Sequence, residues 1–165
     1  MPELIKEFDL HADLAGTDDV GSGPFGHRLN VSVSGGEVLG DRIKGTLVGA
    51  GADWLLAGPD GYGRLDVRIT LKTVDGAHIY LQYDGLLEMT PAIVAVLGGS
   101  DAGTEFGDQY FFCNPRLETG DERYTWVNRT VFIAQGRAVP GPAVEYCVYR
   151  IANSSQGRRG RAASS

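Results

Sequence analysis

Residues 64–87 read Arg64-Leu-Asp-Val-Arg-Ile-Thr-Leu-Lys-Thr73, then Val74-Asp75-Gly76, then Ala77-His-Ile-Tyr-Leu-Gln-Tyr-Asp-Gly-Leu-Leu87. In the first arm Leu65, Val67, Ile69 and Leu71 alternate with Asp66, Arg68, Thr70 and Lys72. In the second, Ile79, Leu81 and Tyr83 alternate with His78, Tyr80, Gln82 and Asp84. Strand side chains point to opposite faces in turn, so this period of two marks two half-buried strands. Asp75-Gly76 between them is a strong hairpin-turn signal, because a tight two-residue turn needs positive φ angles that glycine adopts freely.

The same pattern extends outward in both directions. Leu4–Leu14 alternates cleanly, and residues 15–24 are loop by composition. Arg28–Ser34 is a second strand. Gly35-Gly36 reads as a tight turn into Glu37–Leu39, and Gly40-Asp41 breaks the run before Arg42–Val48. Beyond the hairpin, Pro91–Leu97 is apolar and suits a short helix or a strand, and 98–107 is loop. Gln109–Leu117, Tyr124–Ala134 and Ala143–Ile151 complete the set. The total is eight main strands, or nine if 36–39 counts separately. Short connections between sequential strands imply a meander, whose exposed edges vanish if it closes. The expected fold is therefore all-β: a closed antiparallel β-barrel of about eight strands, with a two-sheet sandwich as the alternative. One barrel domain over residues 1–152 is expected, followed by a disordered tail at 153–165.

Composition narrows the function classes. The 165 residues suit one domain, and 24 glycines suit many tight connections. The net charge of −6 comes with no basic stripe on the domain, which argues against a nucleic-acid partner. The tail Gln156-Gly-Arg-Arg-Gly-Arg161 is locally basic, as a nucleic-acid or membrane contact would be, but its composition fits a disordered terminus. No run approaches the ~20 apolar residues of a membrane helix, and the N-terminus lacks the apolar segment of a signal peptide. A cytoplasmic protein is expected, with Cys113 and Cys147 as buried thiols rather than a disulfide. His11, His27 and His78 are scattered without metal-ligand spacing, and no phosphate-binding glycine loop opens a helix. Neither a metal nor an organic cofactor is expected.

Candidate site residues are the polar and aromatic ones lodged in strand-like segments. Gly49-Ala-Gly-Ala-Asp-Trp54 places Asp53 and Trp54 at a strand end or barrel rim, where glycines allow close backbone approach. An aspartate beside a tryptophan at a pocket mouth is a candidate general base, since desolvation raises its pKa; a turn aspartate beside a plugging Trp54 is the structural alternative. Asp66 and Arg68 suit a catalytic or a structural ion pair equally. Tyr80, Gln82, Tyr124, Trp126 and Asn128 form the remaining wall if the polar register faces the lumen, and Arg129, on the alternate register of the same segment, is a further candidate contact. If the aliphatic register faces inward, these residues meet water instead.

At these residues the chain resembles the domain of unknown function 3237 family, also called uncharacterised protein family 0311. The resemblance rests on Gly35-Gly36 with Gly40, Gly51-Ala-Asp-Trp54, Asp60-Gly61, Leu65-Asp-Val-Arg68, Leu71 with Asp75-Gly76, Ile79-Tyr80, Tyr110-Phe111, Pro115-Arg-Leu-Glu-Thr-Gly120 and Tyr124-Thr-Trp-Val-Asn-Arg129. It implies a calycin- or lipocalin-like barrel of bacterial or fungal origin, linked to small-molecule metabolism. Some fungal relatives are cyclases of natural-product pathways that add an internal hydroxyl across an activated alkene. Where the family usually has Tyr-Phe-Arg, this chain has Tyr110-Phe-Phe-Cys113.

The expected function is a cofactor-independent enzyme of specialised metabolism, of cyclase, isomerase or lyase type. Its substrate would be polyketide-like or aromatic. Asp53 would be the base, Tyr80 or Tyr124 a proton or hydrogen-bond donor, and Arg68 or Arg129 the support for a developing anion. Trp54 and Trp126 would stack on the substrate, with Asp66, Gln82 and Asn128 as further contacts. The alternatives are a non-catalytic, lipocalin-like carrier of a hydrophobic small molecule, and a structural or interaction protein whose polar register simply faces water. A homodimer is expected if apolar outer surface is left over.

Overall fold

The computed structural model describes residues 1–154, and the basic tail beyond them lies outside the described residues. Nine strands run in chain order: β1 (Pro2–Gly23), β2 (Gly26–Gly40), β3 (Lys44–Ala57), β4 (Tyr62–Thr73), β5 (His78–Glu88), β6 (Phe111–Cys113), β7 (Arg116–Glu118), β8 (Phe132–Val139) and β9 (Ala143–Asn153). A short helix, α1 (Pro91–Leu97), and a 3-10 helix (Glu122–Arg129) complete the fold. Antiparallel pairing runs β4-β3-β2-β1-β9-β8-β6-β5, and β5 pairs back onto β4. Eight strands thus close into a barrel-like ring, as the hairpin pattern predicts. Among the described residues no helix is long and apolar enough to cross a membrane.

The aliphatic register faces inward. Leu65, Val67, Ile69, Leu71, Ile79, Leu81 and Tyr83 are buried, while Asp66, Arg68, Tyr80 and Gln82 lie on the outer face. The proposal of a polar register lining the lumen is therefore overturned. Burying the aliphatic side removes the larger apolar area from water at about 25 cal/mol per Å².

Several local expectations also change. Residues 15–24 extend β1 to Gly23, paired with β2 through irregular steps near Leu14 and Gly21. β2 passes through Gly35-Gly36 without turning. Gly36 lies so close to β1 that a Cβ there would meet the His11 carbonyl carbon at 3.0 Å. Gln109–Leu117 is split by Asn114-Pro115 into β6 and β7, both against β5. Asn153, assigned to the tail, still pairs with Pro2.

The largest change is at 124–134. Tyr124–Arg129 belongs to the 3-10 helix, and the strand starts only at Phe132. Asp121 caps the helix by accepting from the Arg123 N–H at 3.0 Å. Its buried residues, Tyr124 and Val127, are three apart, the 3-10 period. This helix lies at the end of the ring marked by the β4–β5 turn, where Tyr124 bonds Asp75. At the opposite end α1 leans over the mouth, capped by Thr90, which accepts from the Ile93 N–H.

Candidate functional site

Asp53 lies within β3, opposite Val67 of β4, rather than at a strand end. Its side chain lines a small cavity, about 30 Å³, in the upper lumen. That is the space of about one water molecule. Leu55, Leu65, Val67 and Phe111 share the lining, as do two buried tyrosines, Tyr83 and Tyr146. The tyrosine rings meet edge to face with centroids 5.4 Å apart. Tyr146 meets Phe111 in the same way at 5.3 Å. Gly136 makes room for this stack, since a Cβ there would fall 2.8 Å from the Tyr146 ring.

The wall beside Asp53 is locally irregular. The β3–β4 register pairs Asp53 with Val67 and next pairs Leu56 with Arg64, leaving Trp54 and Leu55 out of the ladder. Asp53 Oδ1 accepts from the Asp66 backbone N–H at 3.0 Å. The Trp54 carbonyl accepts instead from the Arg28 guanidinium. One side chain from each flank thus engages backbone groups that this stretch of ladder leaves free, satisfying the demand of enclosed peptide groups for partners.

Electrostatics single out the same residue. Burial among apolar chains pushes the Asp53 carboxyl up to about 7; the Asp66 N–H and the Arg28 charge oppose the rise, and the Asp66 carboxylate adds to it. Burial raises Tyr83 and Tyr146 well above the usual phenol range, so both hydroxyls remain proton donors near neutrality. Cys113, which interacts with Tyr146, is likewise raised by burial and stays a thiol. It is a free cysteine, as is half-buried Cys147 on the outer face, so only one of the two is a buried thiol.

Above the small cavity a wider apolar vestibule of about 380 Å³ opens at the mouth. Leu14, Val31, Leu55 and Leu97 line both spaces and form the neck between them. Met89, Val94 and Leu97 bring the β5–α1 side into the vestibule wall. The lining of the vestibule contains no charged side chain.

The other predicted site residues lie elsewhere. Trp54 is on the outer face, with the Arg68 guanidinium 5.2 Å from its ring centroid. Arg68 pairs with Asp66 at 3.2 Å. Tyr80, Gln82 and Asn128 line an outer groove of about 960 Å³ where β7 diverges from β8. There Gln82 accepts from Arg116, and the Asn128 amide both accepts from and donates to the Thr119 backbone. Tyr124 donates to Asp75 Oδ1 at 2.8 Å, near the β4–β5 turn. From Val67, opposite Asp53, to the end of β4 is roughly 20 Å at ~3.3 Å per residue. Trp126 packs on Phe132 and carries the Arg42 guanidinium 3.8 Å from its centroid, and Arg129 is exposed. Only Asp53 of the predicted set lines the lumen cavity. Tyr83, Tyr146 and Cys113, its neighbours, were missed. The available signal was polar-tipped side chains on otherwise aliphatic registers: Tyr83 with Ile79 and Leu81, Tyr146 with Val144 and Val148.

Among the described residues no group of three or more His, Cys, Asp or Glu side chains forms a metal-binding cluster. Acid–base chemistry is what the lumen groups can perform: one carboxyl poised near neutrality, two phenol donors and apolar walls.

Known proteins share this architecture. A structure from Rhodopseudomonas palustris, described as a conserved protein of unknown function, superimposes with a TM-score of 0.81 at 25% identity, covering 92% of this chain and 99% of that one. A β-barrel-like protein from Acinetobacter baumannii gives 0.76 at 27% identity over 92% and 97%. A structure described as an enzyme from Penicillium herquei gives 0.67 at 18% identity over 92% and 95%, a likeness of fold. In sequence, a UPF0311 protein of Rhodopseudomonas palustris is 30% identical over 128 residues, covering 76% of this chain and 82% of that one. The family model described as a protein of unknown function, DUF3237, matches residues 2–151, and the chain belongs to that family.

Proposed function

We propose that this protein is a cofactor-independent enzyme that rearranges a neutral small molecule by acid–base catalysis in the barrel lumen, in the cyclase, isomerase or lyase class. The observation that carries the reading is Asp53. Its carboxyl sits at the closed end of an apolar passage and titrates near pH 7. A base is most useful when its pKa lies near the working pH. The vestibule would hold the apolar body of an aromatic or polyketide-like substrate, and the neck would admit its reacting end to Asp53. Tyr83 and Tyr146, kept protonated, would donate to the enolate or phenolate formed. Addition of an internal hydroxyl to an activated alkene needs only these groups: the O–H proton passes to Asp53, the new O–C bond forms, and the proton is returned to carbon. The enzyme description of the Penicillium herquei neighbour favours catalysis for this fold.

The apolar vestibule also supports a second reading, a lipocalin-like carrier. A neutral probe separates the two. 3-Cyclohexenone is small enough for the vestibule, and its conjugation to 2-cyclohexenone requires only removal and return of a proton. An enzyme of this kind accelerates that conversion, and Asp53→Asn abolishes the acceleration while keeping an oxygen for the Asp66 N–H. Binding of the probe without conversion above the Asp53→Asn background supports the carrier.

A further inference from the structure

We propose that Asp66 is the outlet through which Asp53 exchanges its proton with solvent across the barrel wall. The inference rests on Asp53 acting as a base in the lumen. A half-buried base at the end of an apolar passage has a difficulty that catalysis at a rim would not have. While a substrate fills the passage, the mouth is blocked, and the abstracted proton needs another route to water.

The wall offers that route at Asp66. Here the barrel is one strand thick, and the β3–β4 ladder is interrupted at Trp54 and Leu55. Asp66 touches Asp53 directly through its backbone N–H at 3.0 Å. Its side chain belongs to the outer register, so one residue contacts the lumen base and faces outward. The two oxygens of that side chain differ. Oδ2 accepts from Arg68 at 3.2 Å, and the side chain is 38% exposed. Oδ1 is buried and has no hydrogen-bond partner. A buried carboxylate oxygen without a donor is costly, and its lone pairs are free to accept a proton. The charged and titratable groups that act on Asp53 are Asp66 and Arg28, and Asp53 in turn acts on Tyr83, Tyr146 and Cys113. Of these only Asp66 combines a free acceptor oxygen with a solvent-facing side. The tyrosines and the thiol are buried and hold their protons tightly.

The transfer balances without any other reactant. The substrate C–H bond breaks, its electron pair remains in the dienolate, and the proton forms an O–H bond on Asp53. That proton moves to the Asp66 carboxylate and from there to water, and a solvent proton returns by the same path before delivery to carbon.

Conjugation of 3-cyclohexenone in D2O tests this on the intact chain. With the outlet open, the wild type incorporates solvent deuterium at the newly protonated carbon. Asp66→Asn keeps the backbone N–H to Asp53 but removes the titratable oxygen, so the original proton is returned. The deuterium-to-protium ratio at that carbon is expected to fall at least fivefold, and Asp66→Glu to restore it. An unchanged ratio in Asp66→Asn overturns the proposal, even if the rate falls, because a structural role slows conversion without altering the source of the proton. Absence of conversion by wild type above Asp53→Asn overturns it through the base itself, a failure distinct from an unchanged ratio in an active enzyme.

Discussion

The Asp66 N–H holds Asp53 Oδ1 at 3.0 Å, yet the Asp53 carboxyl still titrates near 7 because burial outweighs that bond. The consequence for stability has a definite sign. The folded pKa lies above the ordinary aspartate value of 3.8, so between about pH 4 and pH 7 the folded state binds the extra proton. Stability therefore falls as pH rises through that window. Three pKa units correspond to about 4 kcal/mol at 1.36 kcal/mol per unit, an upper figure because the residue retains some exposed surface. Asp53→Asn, which never ionises, is expected to be more stable than wild type at pH 8 by about 2–4 kcal/mol and nearly equal to it at pH 4. Urea denaturation at both pH values checks this. An equal difference at the two would place the titration elsewhere.

Tyr83 and Tyr146 give a second expectation. Their hydroxyls are the phenol donors lining the Asp53 cavity, and their rings pack edge to face. Tyr146→Phe keeps the ring contacts with Tyr83 and Phe111 and removes one donor. Loss of a donor to a developing oxyanion costs about 10²-fold or more in kcat. The expected result is a fall in kcat for 3-cyclohexenone of at least tenfold, with KM changed less than threefold. A change confined to KM would make Tyr146 a binding contact instead.

Much of the ring was legible because its hairpins alternate strictly. Leu65 to Leu71 and Ile79 to Tyr83 announce both the strands and the turn at Asp75-Gly76. The inward face was not legible, because alternation fixes two faces without naming the one that meets the lumen. Tyr124-Thr-Trp-Val-Asn-Arg129 misled for a different reason. Tyr124 and Trp126 are spaced like strand neighbours, but Asp121 caps a 3-10 turn and the Tyr124 hydroxyl is drawn to Asp75. That contact spans 49 positions in sequence, and local pattern carries no trace of it. Asp53 stood out because it was a carboxylate beside glycines. Tyr83 and Tyr146 were hidden, since tyrosine fits an aliphatic core register without disturbing the pattern.

The end of the ring near the 3-10 helix yields a stability prediction. Glu7, with its side chain 7% exposed, pairs with Arg42 and Arg150. Arg42 also covers the Trp126 ring. Removing the carboxylate leaves two guanidinia facing each other without a counter-charge. Breaking a buried pair costs about 3–5 kcal/mol, and because both arginines reach water the expected cost of Glu7→Ala is about 2–4 kcal/mol. Thermal unfolding of Glu7→Ala and of Glu7→Ala/Arg42→Ala tests this. A double variant no less stable than the single one marks the coupling, whereas strictly additive losses would show that the pair does not interact.

Gly136 offers a test of how finely the lumen is packed. A Cβ at this position would lie 2.8 Å from the Tyr146 ring and 2.9 Å from the Phe111 ring, closer than real Cβ atoms come to their neighbours. Both rings are buried and wedged against Tyr83 or each other, so neither can yield freely. Gly136→Ala is expected to destabilise by about 1–3 kcal/mol through overpacking, and to alter the near-UV circular dichroism of the tyrosine cluster. Normal stability with an unchanged spectrum would mean the stack is looser than its geometry implies.

Leu97 controls the approach to Asp53. It is the only residue of α1 that lines both the vestibule and the inner cavity, so its side chain forms one side of the neck. Leu97→Trp adds bulk where the passage narrows, and the buried Ile93 and Val96 anchor the helix in the core, so it cannot simply lift away to make room for the ring. Access to Asp53 is expected to fall, raising KM for 3-cyclohexenone at least tenfold while leaving the Asp53 stability difference between pH 4 and pH 8 in place. Leu97→Ala widens the neck and is expected to admit bulkier enones, such as a bicyclic analogue of the same probe, that the wild type converts poorly. Steady-state kinetics of the two variants on both probes decides the matter. If Leu97→Trp leaves KM unchanged, the probe reaches Asp53 by a route other than the vestibule.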